Sequence, residues 1–214
     1  GLDTTRGWLE TGQMEGVVSM LEIAQNSGAH MLNLINDLLD IYKLERGEMP
    51  LQIEPVPLQS ILSDAKERFG PLLDKAGITM VVEAPSDLPP IPADLDKLSR
   101  MLFNLVDNAI KFTPDEGRIR LWAKQETNGD EPNVLVGVSD TGPGIPASEF
   151  DKLFKMFHHD FAGKGRRRGT GLGLPFCKLV AEAHKGQIWA ESAGVPGEGS
   201  VFIIRLPLAR EEQV

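Results

Sequence analysis

The feature that most limits the fold of this chain is a long heptad pattern close to the N-terminus. Apolar or small residues recur there with alternating spacings of four and three: Val17, Leu21, Ala24, Gly28, Met31, Ile35, Leu38 and Tyr42. A second apolar stripe widens this face and comprises Met20, Ile23, Leu34 and Ile41. A helix with two adjacent apolar faces packs against more than one neighbour, as in a four-helix bundle.

The neighbours of this helix are not all supplied by its own segment. Residues 2–11 can form a short preceding helix, joined at Gly12-Gln13, and Gly47-Glu-Met-Pro50 ends the long one. Two helices, one of them short, do not bury so much apolar surface alone. A symmetric homodimer that completes the bundle is the simplest solution, and packing of the long helix on the rest of the chain is the alternative.

The remainder of the chain alternates between helix and strand patterns. We expect helices at 58–75, 94–111 and 172–184, and strands at 51–53, 78–83, 117–124, 133–139, 187–191 and 200–206. The proline-rich segment 85–92 is expected to be a loop. This order predicts an α+β protein: a helical hairpin over residues 1–49, then an α/β sandwich over 50–214 with helices covering one face of a mixed sheet.

Composition excludes some classes of partner. The net charge of −9 argues against a broad nucleic-acid-binding surface. No apolar run approaches the ~18 residues that a membrane-spanning helix needs. The single cysteine, Cys177, lies in an apolar run and is expected to be a buried thiol. We therefore expect a cytoplasmic location without membrane contact by these residues, and membrane anchoring of an intact protein stays open.

Three polar residues share one face of the helix predicted at 94–111. Asn104, Asn108 and Lys111 stand at i, i+4 and i+7 and so line up along the helix. Carboxamides and an ammonium group are poor core residues, because each needs a partner when buried. A carboxamide oxygen suits Mg²⁺, and lysine supplies a point charge for phosphate. A solvated polar face is the alternative interpretation of this stripe.

Glycines follow the end of the strand predicted at 133–139. Asp140 comes directly after this apolar strand, and Gly142 and Gly144 follow at alternate positions. Glycine permits close approach of the backbone to a flat ligand, and the aspartate can accept a hydrogen bond from an exocyclic amine such as that of adenine. An ordinary tight turn has the same pattern.

A second glycine-rich segment, Gly169-Thr-Gly-Leu-Gly173, opens the helix predicted at 172–184. Backbone N–H groups at the N-terminus of a helix can bind anionic oxygens. The segment lacks the Gly-Lys-Ser/Thr of a P-loop, and no strand leads directly into it as in a dinucleotide-binding fold.

The three segments, in this order and spacing, resemble the N, G1 and G2 boxes of the ATP-binding domain of sensor histidine kinases, which belongs to the superfamily shared with gyrase B, Hsp90 and MutL. Phe154-Lys-Met-Phe157 resembles the F box of these kinases, and 197–207 resembles their closing strand. The resemblance covers residues 50–208. Residues 27–49 are similar to the second helix of the dimerisation and histidine-phosphotransfer domain, which gyrase and Hsp90 relatives lack.

The resemblance implies a fold of the Bergerat ATP-binding type, with ATP and Mg²⁺ as cofactors. Asn108 would hold Mg²⁺, whereas Asn104 and Lys111 would contact phosphates or the metal's water shell and act in catalysis. Asp140 would recognise the adenine amine beside Gly142 and Gly144. The segment 158–168 would be a lid over the phosphates. The remaining residues implied in nucleotide binding are Ile145, Phe157, Arg168, Gly169, Thr170, Gly171, Leu172 and Gly173.

By this resemblance, the protein donates the γ-phosphate of ATP to a histidine, for relay to a response-regulator receiver domain. The acceptor motif of the family, a histidine on the first helix, is missing from this chain. We expect that the chain begins just past this histidine and does not phosphorylate itself. The alternative is a degenerate dimeric scaffold with a nucleotide pocket. Efficient ATP hydrolysis of the gyrase type is disfavoured, because a glutamate base is expected where Asn104 stands.

Overall fold

The computed structural model describes residues 13–126, 132–158 and 170–208, and the chain divides into two compact units, 1–39 and 40–214. The predicted long helix is present as α1 (Gln13–Glu45). The short helix expected over residues 2–11 lies outside the described residues.

The part of α1 that belongs to the first unit presents large apolar side chains to solvent in the single chain. Met20 is 74% exposed and Met31 is 62% exposed. The others are Val18, Leu21, Leu32, Ile35, Leu38 and Leu39. Met31, Ile35 and Leu38 are spaced by four and three residues, so they form a row of exposed apolar side chains on one face of the helix. Such a row marks an interaction site in soluble proteins.

Besides the end of α1, the described part of the second unit contains three further α-helices and seven strands. The helices are α2 (Leu58–Ala76), α3 (Leu95–Phe112) and α4 (Gly173–Ala183). The strands are β1 (Glu54–Val56), β2 (Thr79–Glu83), β3 (Ile91–Ala93), β4 (Arg118–Glu126), β5 (Asn133–Asp140), β6 (Gln187–Glu191) and β7 (Val201–Pro207). A 3₁₀-helix spans Ala147–Lys152.

Five of the strands form the expected mixed sheet, in the order β2-β4-β5-β7-β6. Strands β2 and β4 pair in parallel, and the other three pairs are antiparallel. Along β4, buried Ile119, Leu121 and Ala123 alternate with more exposed Arg120 and Lys124, as the two-residue period of a strand requires. The helices α2, α3 and α4 all contact this sheet, which confirms the predicted sandwich.

Two local predictions were wrong. The first strand lies at 54–56 rather than 51–53, and the last two residues of the segment predicted as a loop, 85–92, belong to β3. The two strands pair antiparallel, with Pro55 opposite Pro92. Because proline has no backbone N–H and is depleted in strands, these residues conceal both strands from pattern analysis.

The start of α3 is held by hydrogen bonds from distant parts of the chain. The Asp94 carboxylate caps the helix by accepting from the Lys97 N–H at 3.0 Å, and it also accepts from the Gln52 N–H at 3.0 Å. The backbone N–H of Asp94 donates to Nε2 of His184 at 2.9 Å. These bonds connect α3 both to the segment before β1 and to the end of α4.

His184 is the C-terminal cap of α4, and both of its ring nitrogens are hydrogen-bonded to backbone groups. In the structure its Nε2 accepts from Asp94, while Nδ1 lies 2.8 Å from the Val180 carbonyl oxygen and donates to it. Both nitrogens of this buried imidazole are therefore engaged in holding the start of α3 to the end of α4.

We predict that Gly137→Ala lowers the free energy of unfolding by about 1–3 kcal/mol. The indole of Trp122 lies across Gly137, and an added Cβ would stand 2.1 Å from Trp122 Cε2. Urea unfolding measures the loss, with the same substitution in a Trp122→Ala background as the control. The cost should nearly vanish in that background, and an equal cost in both backgrounds would contradict this account.

Candidate functional site

The polar stripe predicted on α3 is present and partly buried. Asn104, Asn108 and Lys111 are all of intermediate exposure, whereas neighbouring Leu105 is buried in the core. Burial lowers the pKa of Lys111, and the nearby Asp107 carboxylate acts in the opposite direction. The Lys111 ammonium also lies 4.7 Å from the centre of the Phe112 ring. The three polar side chains of the stripe are therefore partly buried and not fully solvated.

The Asp140 carboxylate lies at the end of central strand β5 and is only 8% exposed. Its Oδ1 accepts from the Gly142 N–H at 2.7 Å, and its Oδ2 accepts from the Ser200 hydroxyl at 2.6 Å. Burial raises the pKa of Asp140, and the bonds from Ser200 and Gly142 partly offset this effect. A carboxylate kept in such a place is a strong candidate for ligand recognition.

Gly142 lies where no side chain fits. A Cβ at this residue would stand 2.7 Å from Asp140 Oδ1 and 2.9 Å from the Phe112 carbonyl oxygen. The turn after β5 is thus packed against the C-terminal end of α3, where Lys111 lies. The structure brings the first two predicted segments together at this point.

Gly144 and Ile145 continue this turn. Gly144 has a φ of 74°, a left-handed conformation that favours glycine. Ile145 is buried, and its N–H donates to the Ser192 hydroxyl at 3.0 Å. The turn is therefore attached to the segment that follows β6.

The second glycine-rich segment adjoins the first residue of the stripe. A Cβ added to Gly173, the first residue of α4, would stand 3.5 Å from Asn104 Cγ. Gly171 has a φ of 70°, and the Leu172 N–H donates to the Thr170 hydroxyl at 3.2 Å. Arg168 and Gly169 lie outside the described residues, as does the predicted lid after His158.

The segment resembling the F box joins the same group. The Phe157 N–H donates to the Gly171 carbonyl oxygen at 3.1 Å. Phe157 itself is 57% exposed and has a φ of 59°, which is uncommon for a bulky residue and indicates local constraint. Next to it, His158 Nε2 is 2.8 Å from the Glu149 carboxylate, and this contact lowers the pKa of Glu149.

The expectation of a buried thiol is confirmed. Cys177 is fully buried, and its sulfur lies 3.4 Å from the Met101 carbonyl oxygen. Burial raises the pKa of the Cys177 thiol, and a hydrogen bond from Asn104 acts in the opposite direction. The thiol therefore lies beneath the polar stripe as part of the packing that supports it.

Sequence reasoning missed two serines. Ser200 donates to Asp140, and the Ser192 hydroxyl connects three backbone groups around the turn after β5. Both flank the glycine-rich segment 194–199, which was not predicted to be part of the site. The position of Ser200, just before the closing strand, was the only available signal.

Comparison with known proteins places these features in a family. The sequence model of the family described as "Histidine kinase-, DNA gyrase B-, and HSP90-like ATPase" matches residues 93–210, more than half of the chain. In the part of the chain that the structure describes, none of the helices is both long and apolar enough to cross a membrane.

Curated relatives are similar over most of the chain. The cell-division control histidine kinase PdhS of Brucella suis is 36% identical over 193 residues, which cover 86% of this chain and 18% of PdhS. The adaptive-response sensory kinase SasA of Synechococcus sp. is 35% identical over 191 residues, which cover 89% of this chain and 49% of SasA. The chain thus spans about half the length of SasA and under a fifth of PdhS.

The structure resembles that of full-length ShkA in complex with AMPPNP. The TM-score is 0.77 at 30% identity, and the match covers 89% of this chain and 38% of ShkA. The similar proteins are histidine kinases, and the chain belongs to the histidine kinase-, DNA gyrase B- and HSP90-like ATPase family.

Proposed function

We propose that the second unit binds ATP together with Mg²⁺ and passes the γ-phosphate to a histidine, from which a response-regulator aspartate receives it. One observation carries this proposal. Gly173 adjoins Asn104 of the polar stripe, and Gly142 adjoins the carbonyl of Phe112 at the C-terminal end of α3, next to Lys111. Groups suited to metal, phosphate and base therefore lie along the C-terminal half of one helix.

The donor set fits a magnesium ion that arrives with a nucleotide. Asn108 and Asn104 offer carboxamide oxygens, which are hard ligands, and both are partly buried. Mg²⁺ commonly takes only one or two protein ligands and completes its shell with phosphate oxygens and water. In this proposal Asn108 holds the ion, which neutralises phosphate charge when bound.

Separate groups of residues would hold the phosphates and the base. Lys111 would supply positive charge, and the glycine-rich segment 170–173 at the start of α4 would meet the phosphates through its backbone. Asp140 accepts from the adenine amine, with Gly142, Gly144 and Ile145 against the base. As the P–N bond to the acceptor histidine forms, the bond between the γ-phosphorus and the bridging oxygen breaks, and ADP leaves.

The acceptor histidine would come from outside the described site. Of the four histidines, His184 is engaged structurally and His158 pairs with Glu149. The side chain of His30, like His159, lies outside the described residues. We therefore propose transfer to a histidine supplied by a phosphotransfer domain. The binding half of the proposal fails if calorimetry detects no heat with Mg-ATP at millimolar concentrations.

The apolar surface of α1 supports a second element of the proposal. A homodimer through the N-terminal helices would cover Ile35, Leu38 and the other exposed apolar residues of the first unit. The similar relatives are histidine kinases, which supports a receiver domain as the downstream partner.

Replacing Asp140 separates ligand recognition from stability. We predict that Asp140→Asn weakens ATP binding roughly 10- to 100-fold, because a charged acceptor for the base amine is lost. Asparagine can still accept from Gly142 and can donate to Ser200, so the fold should persist. Isothermal titration calorimetry measures the affinity, and unchanged affinity would contradict the assigned role.

The stability of the same variant should depend on pH with a defined sign. The folded-state pKa of Asp140 is raised, so ionisation costs more in the folded than in the unfolded chain. Protonated Asp140 therefore stabilises the folded chain relative to ionised Asp140, and this contribution is lost as pH rises through the raised pKa. We expect Asp140→Asn to be at least as stable as the wild type at pH 7, and this advantage to shrink at lower pH. Urea unfolding across pH tests this, and an advantage that grows on acidification would contradict it.

Replacing Asn108 tests the metal. We predict that Asn108→Ala weakens binding of Mg-ATP about tenfold or more but changes binding of ATP in EDTA less than about twofold. Gln125→Ala, which removes an exposed carboxamide on β4, serves as the control. Phosphate transfer to a supplied histidine phosphotransfer domain should fall in parallel. Equal losses with and without magnesium would assign Asn108 to packing or to direct contact with ATP.

Replacing Ile35 tests the dimer. Ile35→Glu places a charge where the proposal buries an apolar side chain, at a cost of several kcal/mol. We expect size-exclusion chromatography with light scattering to show a dimer for the wild type and a monomer for the variant. Asn36→Glu changes an adjacent exposed residue outside both apolar stripes and should remain dimeric. A dimeric Ile35→Glu protein would remove α1 from the interface.

A further inference from the structure

The hydroxyl of Ser192 joins three backbone groups from two segments of the chain. Its Oγ donates to the Gly199 carbonyl oxygen at 2.6 Å and accepts from the N–H groups of Ile145 at 3.0 Å and Gly194 at 3.2 Å. A serine hydroxyl has one hydrogen to donate and two lone pairs to accept. All of these are used, so the side chain is fully committed to holding backbone.

The two segments are those that flank Asp140. Ile145 ends the turn that begins at Asp140, and Gly199 precedes Ser200, the donor to Asp140 Oδ2. A second bond joins the same segments, from the Gly197 N–H to the Gly142 carbonyl oxygen at 2.9 Å. The loop 192–199 is therefore fastened to the turn 140–145 at two points.

The packing at these points leaves little room for movement. A Cβ at Gly144 would stand 2.9 Å from Ser192 Oγ, and a Cβ at Gly199 would stand 1.8 Å from the Asp140 carbonyl oxygen. Both glycines also have a positive φ, 74° and 70°. The Ser192 hydroxyl joins the Ile145 N–H to the Gly199 carbonyl oxygen, and Gly199 packs against the Asp140 carbonyl. The hydroxyl therefore links the Gly144–Ile145 peptide to Asp140 through Gly199.

We propose that Ser192 is a positioning residue for recognition of the nucleotide base: its hydroxyl sets the turn 142–145 relative to the Asp140 carboxylate. The inference deepens the proposed function and rests on it. Ser192 acts through the turn rather than by touching the base, so its loss should reduce discrimination between bases and leave phosphate binding intact.

The hydrogen bonds themselves are tested without any nucleotide. In the nucleotide-free protein, Ser192→Ala should speed amide hydrogen exchange at Ile145 and Gly194 about tenfold or more, as measured by NMR. Exchange at Leu121 and Val136 in the central strands should not change. Ser63→Ala, an exposed serine on α2, is the matched control. Unchanged exchange at Ile145 would overturn the inference whether or not the protein binds ATP.

The role in base recognition is tested by comparing ligands. Calorimetry with Mg-ATP, Mg-GTP and magnesium tripolyphosphate gives three dissociation constants for the wild type, Ser192→Ala and Ser63→Ala. We expect Ser192→Ala to lose about fivefold to twentyfold in affinity for ATP. Its preference for ATP over GTP should fall by a similar factor, and its tripolyphosphate affinity should stay within about twofold.

The outcomes separate this inference from the function on which it rests. If the wild type does not bind Mg-ATP, the proposed function fails, and the exchange experiment still reports on the Ser192 bonds. If the wild type binds ATP, equal losses for ATP, GTP and tripolyphosphate would assign Ser192 to general stability. If Ser192→Ala fails to fold, judged by urea unfolding, Ser192 would also be assigned to general stability. Either result would overturn the positioning role.

Discussion

The burial of one carboxylate governs how the site is built. Asp140 is 8% exposed, and burial raises its pKa. An ionised group there is tolerated only with hydrogen-bond donors in place, because an unpaired buried charge costs several kcal/mol. The chain supplies one donor locally, from Gly142, and brings the other from Ser200, 60 residues away. Antiparallel pairing of β5 with β7 places Ser200 beside Asp140. The hydrogen bonding of the Asp140 carboxylate therefore depends on the topology of the sheet.

Helix α3 links the core to the site. One face carries buried residues that pack in the core, including Leu98 and Leu102, and the other carries the polar stripe. The start of the helix is held by the bonds of Asp94 to the Gln52 and His184 segments, and Gly173 packs beside Asn104. The position of the polar stripe is thus fixed by contacts at the start and in the middle of the helix.

The long periodic elements could be predicted from local patterns, and the exceptions have physical reasons. Helix α3 and strand β5 follow from the spacing of their apolar residues. The β1–β3 pair was missed because Pro55 and Pro92 face each other within it, and proline argues against a strand in any local analysis. The bond between His184 and the Asp94 N–H could not be predicted, because the two residues are 90 positions apart. A local pattern takes no account of such a partner.

The sequence by itself determined which residue types are available to the site. The asparagine stripe, the aspartate after a buried strand and the glycines are all visible in order, and their combination indicated the family before any geometry was known. Only the tertiary structure decided which of these groups meet and what holds them. Ser192 and Ser200 act on residues 47 and 60 positions away, and the contact of Gly142 with the end of α3 depends on how the helix packs on the sheet. Local periodicity records only neighbours along the chain, whereas a buried polar group takes its partner from whichever segment the packing brings within hydrogen-bond distance.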